Sequence, residues 1–412
     1  MGPGEGRADQ PRRSGADPVT TLAARRSTFR MSRVSTRALN HRAVWCVGLA
    51  TLSSCQSSSL QLPDRRSVQY PIWTATISGG NAEFQAPMVV GDRVLADIAG
   101  FVVALDTGTG RVLWQTRTTG SSNGARLMRS GPFVLTANLT VEAFSISSGA
   151  RAWTFSLDSG ASLSWNTADS DLVVVGTAAH AVYAIDAATG AQRWRTDAMP
   201  GCVYRCITRG IAFSGDTVYA AFDVFLTSGG GGSLGRVVAF ARSDGHVLWS
   251  WDTARPAPQS DNIGAAPVVY RNVLLLPDTR GGSFFALDRF LLREVWRSGN
   301  AGLPGAAGPD TPFLISGDTA FLAGVDGSVY SLEPISGRLL WRQAAGSSIN
   351  HELAICGGRI MSQNGGLRSH DARTGAILRL SLARSGILHS GVGASATRAF
   401  VIGDNSVNAF DC

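Results

Sequence analysis

The chain contains no lysine, so all 37 of its basic residues are arginine. The Gly-rich stretch Ser228 to Arg236, SGGGGSLGR, therefore lacks the lysine of a phosphate-binding loop and reads as a hairpin tip. The histidines are His41, His180, His246, His351, His370 and His389, and none stands at metal-ligand spacing from another His or Cys. His351-Glu352 opens like a zincin helix, but no His follows three residues later and the stretch reads as strand, hence as packing. Net charge is also scarce where it would matter. Residues 1–54 hold nine Arg and three acids, leaving 28 Arg against 27 acids in the remainder. The overall charge of +7 thus belongs largely to a leader, and the near-neutral remainder gives no electrostatic case for nucleic acid.

Long apolar runs are few. The one near the start, Ala43 to Leu52, has 10 residues and follows Arg33, Arg37 and Arg42. A basic segment, a short apolar core and small residues make a secretion signal, too short to span a bilayer. Residues 1–54 are thus expected to be a signal peptide, with Met31 as a plausible true start. The ending Leu52-Ser53-Ser54-Cys55 is similar to a bacterial lipobox, which implies lipidation of Cys55. Several acyl chains on one residue would anchor stably where a single chain is marginal. Residue 56 is Gln rather than Asp, which favours the outer membrane, on its periplasmic side or at the cell surface. Residues 55–67 are polar and read as a lipidated flexible tether.

What the chain has in quantity is glycine, 48 residues, set between short apolar runs. This points to short strands and turns. A repeat organises them. Aligned on Asp106, one slot recurs at Ser145, Asp186, Ala241, Asp288, Glu333, Asp371 and Asp411, at spacings of 39, 41, 55, 47, 45, 38 and 40. Two residues before each slot the residue is Ala or Ser. Four residues after it stands Gly110, Gly149, Gly190, Gly245, Gly337 or Gly375, with Leu292 as the exception. Eight residues after it comes Trp114, Trp153, Trp194, Trp249, Trp296 or Trp341, with Arg379 breaking the column. The eighth unit reaches Cys412 before its Trp, and Trp73, in PIWTATI, supplies an orphan final strand from the other end.

Each column has a physical reading. Asp accepts hydrogen bonds from a turn backbone, and Gly permits positive φ. The small residue leaves room for an indole from the adjacent unit. Two earlier strands per unit, as in APMVVGDRVLAD, make four strands in about 40 residues, which is a propeller blade. The expected fold is all-β, an eight-bladed β-propeller over residues 68–412, closed by the N-terminal strand around Trp73. Asp106, Asp186, Asp288, Asp371 and Asp411 recur by repeat, so they are expected to hold turns rather than to catalyse. His370 adjoins one such slot and is read as structural.

The motif Ala184-Ile185-Asp186-Ala187-Ala188-Thr189-Gly190 to Trp194 resembles the repeat of the PQQ-like (quinoprotein-like) propellers, over about residues 68–412. Two branches of that superfamily bear on function. The quinoprotein dehydrogenases would imply bound PQQ, a vicinal Cys–Cys disulfide and a metal on Glu, Asn and Asp. This chain has no Cys-Cys pair, and no ligand set matches residue by residue. The BamB-type outer-membrane assembly lipoproteins are similar in length and anchor and carry no cofactor. Their resemblance implies a partner loop after the third blade, where Met199-Pro200-Gly201 leads to Cys202-Val203-Tyr204-Arg205. Arg205 matches that family's pattern, Tyr204 keeps bulk and Cys202 departs. A second family contact, an Asp-x-Asp pair, has no acids here, where the sequence reads Asn262-Ile263-Gly264-Ala265-Ala266-Pro267.

Four further cysteines, Cys202, Cys206, Cys356 and Cys412, allow two disulfides in three connectivities outside the cytoplasm. A Cys202–Cys206 clip of the Arg205 loop and a Cys356–Cys412 pin of the chain end are favoured, with four free thiols as the alternative. The functional expectation is a non-catalytic envelope scaffold, a monomeric ring with no cofactor or metal, binding a protein partner such as the barrel-assembly machinery. The alternatives are a polysaccharide- or ligand-binding propeller and a PQQ-dependent oxidoreductase.

Overall fold

The computed structural model describes residues 68–77, 85–98, 100–119, 126–158, 166–177, 179–200, 202, 205–226, 233–253, 262–278, 282–298, 311–346, 349, 351–384 and 387–412. The chain divides into two units, residues 1–58 and 59–412, and every described residue belongs to the second. The expected signal peptide, Cys55, the tether, Tyr204 and most of the Gly-rich tip lie outside the described residues.

Eight antiparallel sheets of four strands form an eight-bladed β-propeller. In blade 1 the strands, a to d from the axis outward, are Met88–Val90, Arg93–Ile98, Phe101–Asp106 and Val112–Arg117. The next seven blades open with their a strands at Met128, Thr167, Arg205, Val268, Leu314, Ala354 and Leu388. Strands b and c are sandwiched between neighbouring blades, so both of their faces are apolar. Val94, Leu95, Ala96 and Ile98 are fully buried, as are Val102 to Leu105. The d strands alternate instead, because one face meets solvent.

Blade 8 takes its outer strand, Trp73–Thr76, from the N-terminal side, with Trp73 paired to Ala409 and Thr76 to Ser406. One element goes beyond the sequence reading. Val68–Gln69 adds a fifth strand to blade 7, parallel to its d strand, with Val68 paired to Leu380 and Gln69 to Ser381.

The tryptophan column joins blades. The indole N–H of Trp114 donates to Ile146 O at 3.0 Å, and that of Trp153 to Ala187 O at 3.0 Å. Trp194 reaches Arg242 O at 2.9 Å, Trp296 reaches Pro334 O at 3.0 Å and Trp341 reaches Ala372 O at 3.0 Å. Each acceptor is the residue after the slot in the following blade. The same indole lies over that blade's turn glycine. A methyl group on Gly375, at φ +76°, would come within 2.5 Å of Trp341 Cε3. This corrects the expected role of the small residue. It is the cross-strand partner of Trp within one blade, as in Trp194 opposite Ala184 and Trp114 opposite Ala104. The space for the neighbouring indole comes from the glycine.

Where a column breaks, the packing changes with it. Leu292 takes the glycine position of blade 5 at φ 52°. Trp249, the indole of the preceding blade, packs against Tyr219 with ring centroids 5.8 Å apart. Arg379 fills the Trp position of blade 7, and its guanidinium lies 3.4 Å from the Cys412 carbonyl oxygen. That acceptor is again the residue after the slot.

Candidate functional site at the edge of blade 4

The slot interval of 55 residues falls on blade 4, and the extra length goes into its strands. Arg205–Ser214, Thr217–Phe225 and Ser233–Ala241 have 10, 9 and 9 residues. Their counterparts in blade 1 have 3, 6 and 6 residues. The surplus pairs run from Arg205 opposite Phe225 to Ile207 opposite Asp223, and a bulge between Thr208 and Gly210 turns this extension relative to the ring.

The extension is fastened at its base. Cys202 and Cys206 are bonded, with Cα atoms 6.3 Å apart. Cys206 is buried against Met199, Trp194 and Phe222, so one end of the clip is part of the blade 3–4 core. Asp197 accepts from Met199 N at 3.1 Å, and Cys202 N donates to Met199 O at 3.0 Å, which closes the Met199-Pro200 turn. Arg236, paired with Asp252, lies 3.6 Å from the Met199 sulfur.

Arg205 stands at the free end. It is exposed, its guanidinium carbon lies 5.8 Å from the Phe225 ring centroid, and it makes no ion pair among the described residues. Leu226, half exposed, follows the aromatic. An unpaired guanidinium on an aromatic face, beside an exposed apolar side chain, can receive a carboxylate or a main-chain carbonyl.

Behind this edge lies a buried polar seam that the sequence did not reveal. Asn262 and Gly264 stand where the family pattern has its two acids, but two carboxylates reach Asn262 in space. Its amide nitrogen lies 3.3 Å from Asp223 Oδ2, and its backbone N–H donates to Asp278 Oδ1 at 3.1 Å. Arg209 pairs with Asp223 at 2.9 Å, and Arg297 with Asp278 at 3.0 Å. Both carboxylates are fully buried. Arg297 lies over Phe285, 4.2 Å from the centroid. Buried pairs of this kind contribute little net stability but are costly to break singly. The seam therefore fixes blade 4 against blade 5.

The recurring acids hold turns. Asp106 Oδ1 accepts from Gly108 N at 3.0 Å and Thr109 N at 2.7 Å, and Asp371 Oδ1 accepts from Arg373 N at 3.0 Å and Thr374 N at 2.9 Å. Asp288 accepts from Phe290 N and Leu291 N, both at 2.9 Å. Asp186 binds Thr189 likewise, and Arg193 with Thr189 holds its carboxyl down to about 2. Asp411 is exposed at the last strand end. A cleft of about 530 Å³ beside the blade-4 turn is lined by Arg193, Asp216 and Arg242 among others. Its arginines are already paired, Arg242 with Asp169 and Asp171 and Arg193 with Asp171 and Asp186.

At the other ring face, Arg126 pairs with Glu352 at 2.8 Å, joining the segments that enter blades 2 and 7. Burial pushes the Glu352 carboxyl up, and Arg126 opposes the shift. Burial, with His389 nearby, holds His351 down to about 4. His351 and Glu352 sit in a connector rather than in the strand expected for them. Among the described residues no three His, Cys, Asp or Glu side chains converge on a metal position. Cys356 and Cys412 are bonded, which ties the last strand to blade 7.

Comparison with known proteins agrees with this architecture. A family model described as outer membrane protein assembly factor BamB matches residues 70–194, 137–290 and 292–410. The outer membrane protein assembly factor BamB of Burkholderia pseudomallei (strain K96243) is 28% identical over 283 residues, covering 66% of this chain and 68% of that protein. Among solved structures, BamB from Moraxella catarrhalis superposes with a TM-score of 0.60 at 17% identity, covering 83% of this chain and 99% of that one. A europium-containing methanol dehydrogenase superposes with a TM-score of 0.64 at 12% identity, covering 80% and 84%. These structural likenesses show the shared fold, and the family model decides between them. The chain belongs to the outer membrane protein assembly factor BamB family.

Proposed function

We propose that this chain is a non-catalytic envelope scaffold that contributes to outer-membrane protein assembly by binding a protein partner along the blade-4 edge. The observation that carries this reading is Arg205, exposed and without an ion pair among the described residues, at the end of a lengthened sheet whose base is clipped by Cys202–Cys206. Preorganisation lowers the ordering cost of binding, and a rigid extension is a means to it. Family membership supports the assembly role, and the lipobox at Cys55 supports anchoring to the outer membrane.

PQQ is not part of the proposal, because the residues present do not fit it. Cys202 and Cys206 are not vicinal and belong to blade 4, and no ligand cluster stands among the described residues. Crosslinking in native membranes, followed by affinity capture, tests the assembly role. Enrichment of the barrel-assembly machinery is expected. Reproducible capture without it removes that role and leaves the fold unchanged.

A further inference from the structure

We propose that the turn-side rim of blades 4 to 7 is a second binding surface, one that rests on a lipid bilayer. The inference rests on the envelope reading above, since it needs a membrane within reach of the tether.

The starting point is the c–d turn of blade 5. Its sequence, Asp288-Arg289-Phe290-Leu291-Leu292, departs from the D-x-x-T-G of other blades. Leu292 holds the left-handed conformation that glycine holds elsewhere, and Phe290 and Leu291 are 69% and 63% exposed. A non-glycine residue there is strained, and strain kept at a turn points to a use for its side chains. The tip is stiff. Asp288 holds the backbone, while Arg289 donates to Ser214 Oγ at 2.7 Å and Tyr219 Oη at 3.0 Å, with its guanidinium 4.7 Å from the Phe290 centroid.

The tip is not isolated. Seven residues after the slot, blades 4 to 7 carry Leu248, Val295, Leu340 and Leu378, each about half exposed. In blades 1, 2 and 3 that column is the half-buried Leu113, Ala152 and Arg193, and just before the strand that closes blade 8 it is Ile72, 44% exposed. Arg193 and Leu248, from adjacent blades, both line the cleft at the blade-4 turn. The repeat therefore sets Leu248 and Val295 on either side of the blade-5 turn. Within this column the exposed apolar side chains run from blade 4 to blade 8.

Two observations favour a lipid surface as the occupant. The first is where the chain leaves the ring. The apolar column includes blade 7, where Val68–Gln69 is paired, and exposed Tyr70 and Ile72 follow directly. From there the twelve residues 56–67 lead back to Cys55, a contour length of up to roughly 40 Å. The second is charge. Glu294 is paired with Arg297 and Asp288 is bonded within the turn, whereas Arg293 is exposed with no ion pair among the described residues. An apolar tip with an exposed arginine beside it suits the interface of an anionic bilayer.

The test is flotation of the full chain carrying Cys55→Ala, which removes the acyl anchor, with vesicles of phosphatidylethanolamine and phosphatidylglycerol. Co-flotation is expected, falling roughly tenfold or more when Phe290→Ser and Leu291→Ser are added. Leu291→Ser alone should give an intermediate loss, and Arg205→Glu none. Absence of co-flotation, or equal flotation of the double variant, overturns the proposal. So does a dimer that the double variant abolishes, because the surface would then be a contact between copies. Partner capture is read separately through Arg205, so failure of either proposal is distinguishable from failure of the other.

Discussion

The indole N–H of Trp73 donates to the carbonyl of Thr107, 3.1 Å away, so a strand from the N-terminal side of the ring latches blade 8 onto blade 1. The same contact between Trp and the residue after the slot repeats from blade to blade. One type of joint therefore recurs between blades, beside the apolar packing of the b and c strands. An indole buries about 150–250 Å², and its single donor is satisfied by a carbonyl that the turn has already oriented.

Removing a well-buried member of the column should cost stability. Trp194 is 5% exposed. Trp194→Ala is expected to destabilise the ring by about 3–5 kcal/mol, read from urea denaturation. A change below about 1 kcal/mol would mean that the joint is redundant.

The turn glycines separate two effects. Gly375 has positive φ and an indole directly over it, whereas Gly131 has positive φ and nothing within 4 Å of the place a methyl group would take. Gly131→Ala should cost about 1–2 kcal/mol from backbone strain alone. Gly375→Ala should cost a further 1–3 kcal/mol or so from overpacking against Trp341. Equal losses in thermal melts would show that the indole yields freely.

His370 makes stability depend on pH. It is fully buried, with Nε2 2.8 Å from Ser362 Oγ, and burial holds it down to about 4. The unfolded chain binds this proton near the ordinary value of about 6.5. Between pH 6.5 and 4 the unfolded state thus holds more protons, and stability falls as pH falls. The loss from this group should approach roughly 3 kcal/mol at the acid end, and His370→Gln should reduce the slope over that window, leaving the part due to His351.

The Cys356–Cys412 bond closes a long loop over blades 7 and 8. Cys356→Ser with Cys412→Ser should cost about 2–5 kcal/mol in chemical denaturation, with most of the fraying in blade 8. Hydrogen exchange would locate it. Uniform exchange across all blades would contradict a local pin.

The propeller was legible in the sequence because each blade must solve the same packing problem, so Trp, Gly and the slot residue return at nearly constant spacing. What stayed hidden was non-local or too brief. Val68–Gln69 pairs through backbone over two residues and leaves no side-chain pattern. The contact between Trp341 and Gly375 joins columns of different blades, and the sequence reading gave that inter-blade place to the small residue instead. The seam of Asp223, Asp278, Arg209 and Arg297 around Asn262 draws on four separate strands and a connector. The 55-residue interval did signal extra length in blade 4, but not that it would lengthen three strands around Arg205.

The central claim is that this ring acts through the blade-4 edge. The most direct measurement is partner capture from native membranes with wild type and Arg205→Glu, alongside their melting temperatures. Enrichment of the barrel-assembly machinery with wild type, reduced at least about tenfold by the variant at unchanged melting temperature, is the predicted result. Equal enrichment by both chains would contradict the claim.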